Sequence, residues 1–226
     1  MKYIASVSWG KDSTAMLMLI IEKKLPLDEV VFYDTGAEFD AIYKVRDLMV
    51  KNYLTPNGIK YTEIKPKIPF FDLMLKYKHM TRKGTIKTGY GWCGGVCRWG
   101  TSQKTSALNK YCKGAIQYIG IAYDEKERYK RLTPNKKAPL YDYQITEEQA
   151  LLKCYNSGIY FDKLYTILKR VSCWCCRNKN LKEIANYKEY LPSYYKKLCE
   201  LEEQIGEPMK PPYTLKERFK DESNML

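Results

Sequence analysis

The sequence predicts an α/β chain built on a parallel sheet, with a mainly helical C-terminal part. Three observations carry this expectation. Apolar, β-branched runs alternate with segments of helical periodicity along residues 1–145. A cluster of small and charged residues, "SWGKDS", separates the first such run from the first helical segment. From Thr146 onward the strand-like runs cease. With 226 residues, 45% of them hydrophobic, the chain can bury one sizeable core.

In order, "KYIASVS" reads as a short buried strand, and residues 13–24 as a helix apolar on most sides, hence one packed against a sheet. "DEVVFYDTG" is a second strand ending in a turn. Residues 38–53 have helical periodicity, with Phe39, Ile42, Val45, Leu48 and Met49 on one face. "IKYTEIKP" is a third strand and 69–77 a short helix. Strand, helix and strand in such close succession make a βαβ unit, which implies a parallel sheet with right-handed crossovers. A long Gly-rich loop over 82–100 comes next, within a basic stretch reaching residue 104, then a helix near 101–112 and a fourth strand, "AIQYIGIAY". "TPNKKAP" reads as a mobile loop, and beyond Thr146 helices dominate until "GEPMKPPY" breaks the last of them from a polar tail. The expected division is an α/β nucleotide-binding domain over 1–145 and a helical part over 146–226.

The longest largely apolar run, Thr14 to Ile21, is too short to span a bilayer. "MKYIASV" carries no signal-peptide pattern, so the expectation is a cytoplasmic protein without a membrane partner. Eight cysteines in a reducing compartment are not a disulfide framework. The net charge of +13 is local: residues 1–72 balance at ten basic and ten acidic, whereas 73–123 hold nine Lys/Arg and no Asp or Glu. Residues 151–177 hold five basic and one acidic, and these two segments contain seven of the eight cysteines.

"SWGKDS" is placed where a parallel sheet binds ligands, at the carboxyl end of a strand. A helix N-terminus offers N–H groups and a positive dipole end to an anion. Gly10 allows close approach, Lys11 supplies charge, and Ser8 and Ser13 supply hydroxyls, a set suited to phosphate. An ordinary turn capped by Asp12 or Ser13 is the plainer alternative. The spacing is not that of a Walker loop.

The stretch resembles the S-G-G-K-D-S pyrophosphate loop of the N-type ATP pyrophosphatases. "VVFYDTGAEFD", "IGIAYDEKER", "APLYDYQITEEQA" and "LYTILKRVSCWCC" follow in the order seen in the phosphoadenosine-phosphosulfate (PAPS) reductase-like branch. The resemblance implies a Rossmann-like sheet of the adenine nucleotide alpha hydrolase type. It also implies ATP with Mg²⁺, held by Ser6, Ser8, Trp9, Gly10, Lys11, Asp12 and Ser13, with Asp34, Thr35, Gly36 and Gly120 lining the site. Arg128, with Arg131 behind it, would reach a phosphate or the adenylated substrate; Lys11, Asp12, Arg128 and Lys104 are the implied catalytic set. Two departures stand out. Trp9 replaces the first glycine of the loop, which predicts an ordinary backbone there and an aromatic wall beside the nucleotide. The E-C-G-L-H ending that supplies the reductase nucleophile is absent, while the loop is nearly intact, which favours ATP over PAPS.

Cys93 and Cys97 in "WCGGVCRW", and Cys173 and Cys176 in "SCWCCRN", are two local pairs able to converge on one four-thiolate site for zinc or an iron–sulfur cluster, with Cys175 an alternative to Cys176. Unligated thiols are the plain alternative. Cys112, Cys154 and Cys199 stand in helix-like contexts as core residues. The resemblance favours a [4Fe–4S] cluster, because the branch includes cluster-bearing adenylyl-sulfate reductases and DNA-phosphorothioation enzymes. "CRWGTSQK" is similar to the C-R-W-C-T-S-x-x-K stretch of the latter, with Gly100 in place of its second cysteine and Lys104 as its lysine.

The expected function is ATP-dependent adenylation of an acceptor, with release of pyrophosphate, in sulfur transfer. DNA or RNA is a candidate acceptor, and a sulfur-donor protein such as a cysteine desulfurase a candidate partner. Two alternatives stand beside it. One is a PAPS reductase-like enzyme or nucleotide-sulfate adenylyltransferase acting on a small molecule. The other is a non-catalytic nucleic-acid-binding protein on the same scaffold, using Tyr90, Trp92 and Trp99 among Arg82, Lys83, Lys87 and Arg98.

Overall fold

The computed structural model describes residues 1–220. The end of the expected polar tail, 221–226, lies outside the described residues. The chain opens with β1 (Tyr3–Val7), α1 (Lys11–Glu22), β2 (Glu29–Tyr33), α2 (Asp40–Met49) and β3 (Lys60–Ile64). Then follow α3 (Phe70–Leu75), a hairpin of β4 (Lys78–Met80) and β5 (Ile86–Thr88), α4 (Gln103–Tyr111) and β6 (Ile116–Ile119). Next come α5 (Lys126–Tyr129), β7 (Lys136–Lys137), α6 (Pro139–Asp142) and α7 (Glu147–Asn156). The chain continues with α8 (Leu164–Ile167), α9 (Leu181–Tyr190), α10 (Pro192–Ile205) and α11 (Leu215–Arg218). Two compact units share these elements: residues 1–66 with 103–163, and residues 67–102 with 164 onward.

The first unit is the α/β body. Its five strands lie in the order β3-β2-β1-β6-β7, every neighbouring pair parallel. All five residues of β2 are buried, the mark of a sheet covered on both faces. One face meets α4 through a cluster of Ile4, Val31, Tyr33, Leu108, Cys112 and Ala115. Every residue of α1 from Ser13 to Ile20 is buried, because α6 and α7 pack on the helix in addition to the sheet. β7 falls inside the stretch expected to be a loop; Gln117 N donates to Asn135 O and draws that segment alongside β6. Strand order reverses between β1 and β6, so the crevice at their carboxyl ends is the topological switch point where such sheets bind ligands.

At the opposite edge of the sheet Glu29, fully buried at the start of β2, accepts hydrogen bonds from Lys2, Thr62 and Tyr111 and pairs with Lys60. Burial alone would raise this carboxyl, but those partners outweigh it and hold it at about 2.

In the second unit the expected 82–100 loop is partly ordered: β4 and β5 pair antiparallel, with Lys78 opposite Thr88 and Met80 opposite Ile86. Its base is fixed to α3, since Tyr90 N donates to Leu73 O and Gly91 N to Met74 O. Gly89, at φ +70°, is obligatory there, because a Cβ would stand 2.5 Å from Met74 O. Buried Glu202 of α10 closes the break after that helix by accepting from Met209 N (2.6 Å) and Leu215 N (2.7 Å). No helix among the described residues is long and apolar enough to cross a membrane.

Candidate functional site

The loop between β1 and α1 is knitted by its serines. Ser8 N donates to Ser13 Oγ at 3.1 Å, the two hydroxyls lie 3.3 Å apart, and Ser13 Oγ donates back to Gly10 O. Neither Asp12 nor Ser13 caps α1; the cap position is Gly10, in extended backbone, and the helix opens without a side-chain cap. Such an end keeps the positive pole of the helix available to an anion. After β6, Gly120 faces this turn so closely that a Cβ would stand 2.8 Å from Ser13 N. Gly120 therefore acts through close approach of strand end to helix start, the role of a helix-packing glycine in dinucleotide folds.

Trp9 departs from expectation. Its φ is +59°, the left-handed region, and its side chain is fully buried. The ring lies 5.9 Å from Tyr61 and 6.3 Å from Phe32, centroid to centroid. The backbone keeps the turn a glycine would adopt, at a strain of about 1–3 kcal/mol, while the indole fills core rather than walling a nucleotide. Ser6 points to the α4 face of the sheet, where its Oγ accepts from Gln117 Nε2 at 2.7 Å and approaches Cys112 Sγ.

Lys11 is buried, and its ammonium sits between Asp12 Oδ1 at 2.7 Å and Glu147 Oε2 at 2.8 Å. Burial disfavours its charge, yet the two carboxylates more than offset that and raise its pKa. Burial raises the Asp12 carboxyl, helped by Glu147 and Glu125 and only partly opposed by Lys11. The sequence does not mark Glu147 as a partner of Lys11. Glu147 opens α7, whose capping box of Thr146 and Gln149 is legible in "TEEQ", and its N–H is held by Asp124 Oδ1. The box signals a helix start; nothing local signals a lysine 136 residues away.

Asp34 is buried and organises the turn after β2: its Oδ1 accepts from Gly36 N at 2.8 Å and from Tyr43 Oη at 2.7 Å. Gly36 takes φ +76° there, and Thr35 Oγ1 accepts from Ala37 N. Arg128 is half-exposed and ion-paired with Glu125, whose other oxygen accepts from Ala122 N. Arg131 Nε donates to Glu127 O. Lys104 is half-buried in the first turn of α4. Just beyond the end of that helix β6 begins beside Lys2, so its nine residues, rising about 1.5 Å each, carry Lys104 back toward the carboxyl edge of the sheet.

Cys93, Cys97, Cys173, Cys175 and Cys176 all belong to the second unit. Asn178 ties their two loops together, accepting from Gly95 N (3.1 Å) and donating to Gly95 O (2.7 Å). Cys176 N donates to Cys173 O across a tight turn, and Trp174 stacks on Phe71 at 5.5 Å. Burial pushes the Cys175 thiol up, and the charges of Cys173, Cys176 and Cys97 add to this. Cys97 is likewise raised by burial and by Cys93, against a hydrogen bond from Gly100 N to its sulfur at 3.2 Å. Lys179, 2% exposed, is held next to Ser172; burial lowers its pKa, and Cys176, Glu183, Cys173 and Cys175 oppose the shift. Among the described residues no three potential ligands surround a common point closely enough for a single metal ion. The donor chemistry fits a four-thiolate group, and buried Lys179 is a cation suited to its negative charge. Cys112, Cys154 and Cys199 are buried, as expected of core residues.

The model of the phosphoadenosine phosphosulfate reductase domain matches residues 2–131. Two uncharacterised proteins of Methanocaldococcus jannaschii are similar: MJ0066 is 27% identical over 86% of this chain and 40% of its own length. MJ0973 is 24% identical over 89% of this chain and 47% of its own. The chain thus spans less than half the length of these curated relatives. Among solved structures, the U34-tRNA thiolase NcsA from Methanococcus maripaludis, with its [4Fe–4S] cluster, aligns at 17% identity and a TM-score of 0.43, covering 91% of this chain and 72% of that one. The loop, the parallel sheet and the family match over more than half of the residues agree: this chain belongs to the phosphoadenosine phosphosulfate reductase domain family.

Proposed function

We propose that the protein is an ATP-dependent enzyme of sulfur transfer that adenylates its acceptor. The observation that carries this reading is the Ser8–Ser13 loop with a buried lysine at an uncapped helix start, locked against Gly120 at the switch point of the sheet. ATP enters with Mg²⁺, and its β- and γ-phosphates take the place of Glu147 at Lys11. A nucleophilic oxygen of the acceptor attacks the α-phosphorus, the bond from that phosphorus to the oxygen bridging to the β-phosphate breaks, and pyrophosphate leaves. Lys11 and the α1 terminus stabilise charge growing on that leaving group, a preorganised electrostatic effect. Arg128, released from Glu125, and Lys104 meet the substrate phosphates. The acceptor, now carrying AMP, is open to a sulfur nucleophile from a donor protein, with AMP departing.

Cys93, Cys97, Cys173 and either Cys175 or Cys176 would hold a [4Fe–4S] cluster. When bound, it supplies a site for sulfur ligation or electron passage. Incubation of the protein with ATP, sulfide and total RNA should yield AMP and pyrophosphate. ADP and phosphate as sole products contradict the reading.

A further inference from the structure

The nine-cation, acid-free segment contains one feature that neither the nucleotide loop nor the cysteines use. The β4–β5 hairpin and its turn carry Lys78, Arg82, Lys83 and Lys87, all exposed, and none has an ion pair among the described residues. Lys76, just outside it, does have one, with Asp72. Next to these cations three rings stack on Tyr90. Tyr77 lies 5.8 Å from Tyr90, His79 lies 4.0 Å from Tyr90, and Tyr90 lies 5.1 Å from Trp99, with interplanar angles of 19°, 23° and 28°. Trp99 is buried and anchors the group, whereas Tyr77 and Tyr90 are 39% and 38% exposed. The hairpin register puts His79 opposite Lys87 on one face and Met80 opposite Ile86 on the other. Met80 and Ile86 are 71% and 72% exposed.

We infer that this hairpin docks a single-stranded nucleic acid, its backbone against Lys78, Arg82, Lys83 and Lys87 and an unstacked base against the exposed Tyr77 ring, which Tyr90 backs. Flat, near-parallel rings adjoining unpaired cations match a chain in which phosphates alternate with π faces. An acidic protein or an anionic vesicle would use the charge but not the stack. The anchoring of the hairpin base on α3, through Gly89 and Tyr90, means the surface is formed before the strand arrives and little ordering opposes binding. The inference names the acceptor class of the proposed enzyme and rests on that reading only for the use made of the bound strand.

The test is fluorescence anisotropy with a labelled single-stranded RNA, the same sequence as single-stranded DNA, and the corresponding duplex, over a series of salt concentrations without ATP. R82E/K83E/K87E should lose about 100-fold in affinity at 0.1 M salt and flatten the salt slope by about 2, three contacts at ~0.7 each. Tyr77→Ala should weaken binding about 5- to 100-fold and leave the slope unchanged, because stacking releases no counterions. Both variants should keep the wild-type melting curve and ATP affinity. A triple variant that binds with wild-type affinity and slope overturns the inference. So does a Tyr77→Ala variant without effect on a single strand, or hairpin-dependent binding that is tighter to phosphatidylglycerol vesicles than to either oligonucleotide. Loss of AMP formation with intact oligonucleotide binding would instead count against the adenylation reading alone.

Discussion

Lys11, the charge proposed to bind phosphate, is a buried, doubly paired side chain. Its position after a strand and a glycine is legible in "SWGKDS", but its burial and its pairing with Glu147 are not, since they depend on α7 folding back onto α1. Lys11→Ala should therefore weaken ATP binding about 10- to 100-fold, on a charge-assisted hydrogen bond of ~1.5–3 kcal/mol. It should also lower the melting temperature, because Asp12 and Glu147 are left facing each other without the ammonium. Glu147→Gln separates the two effects: calorimetry should show ATP binding more tightly, since a competing carboxylate charge is gone, and weaker binding would mean that Glu147 assists the nucleotide. Trp9 teaches a related lesson. A bulky residue in a loop argues for an ordinary φ, yet a pocket between Phe32 and Tyr61 holds it at +59°. Glu29 gives a pH dependence. Its folded carboxyl is depressed to about 2 from 4.5, so it stabilises the fold above pH 4.5 and that contribution is lost as pH falls toward 2. Acid unfolding of Glu29→Gln should lack a slope worth about 2 kcal/mol in that window, the partners Lys2 and Lys60 being partly exposed. Equal slopes in variant and wild type would remove Glu29 from the acid response.

At the scale of elements, the strands and helices of the α/β body follow the periodicity closely, because each presents one face or two to a single sheet. Two differences from the expected elements, one in each unit, have local causes. β7 is two residues long and exists through its pairing with β6, and the β4–β5 hairpin has no apolar alternation to announce it. Gly120, expected to line the nucleotide site, has a packing role in the structure: it lets β6 end against the first turn of α1. Gly120→Ala should displace that turn, lose measurable ATP binding and cost about 1–3 kcal/mol of stability by overpacking. An alanine variant with wild-type ATP affinity in a calorimeter would show that the contact is slack. The cysteine loops are joined by Asn178 and Gly95, a link that spacing alone does not reveal. Anaerobically prepared protein should hold about four irons per chain. Cys93→Ala, Cys97→Ala and Cys173→Ala should each lose them, while Cys112→Ala and Cys199→Ala should not. Stoichiometric zinc in place of iron would make the site structural.

For the whole molecule, the sequence reading cuts the chain at 145, whereas packing groups residues 1–66 with 103–163 and 67–102 with the C-terminal helices. The interleaving is invisible in a linear pattern, because α7 is helical like its successors yet buries Ala150 and Cys154 and packs on α1. It does place both cysteine loops and the basic hairpin in one unit and every residue of the nucleotide loop in the other. In the proposed reading the localised charge divides unit by unit: Lys11 and the start of α1 would meet phosphate, Lys179 would face the thiolates, and the hairpin cations would serve a polymer. In the proposed reaction the Ser8–Ser13 loop directs cleavage between the α- and β-phosphates of ATP. The most direct measurement is chromatography of ATP labelled at the α-phosphate, after incubation with the protein, sulfide and total RNA. The label should appear in AMP or in an AMP-bearing acceptor, with pyrophosphate in equal amount and neither product formed by Lys11→Ala. Label recovered only in ADP, with free phosphate, would contradict the account.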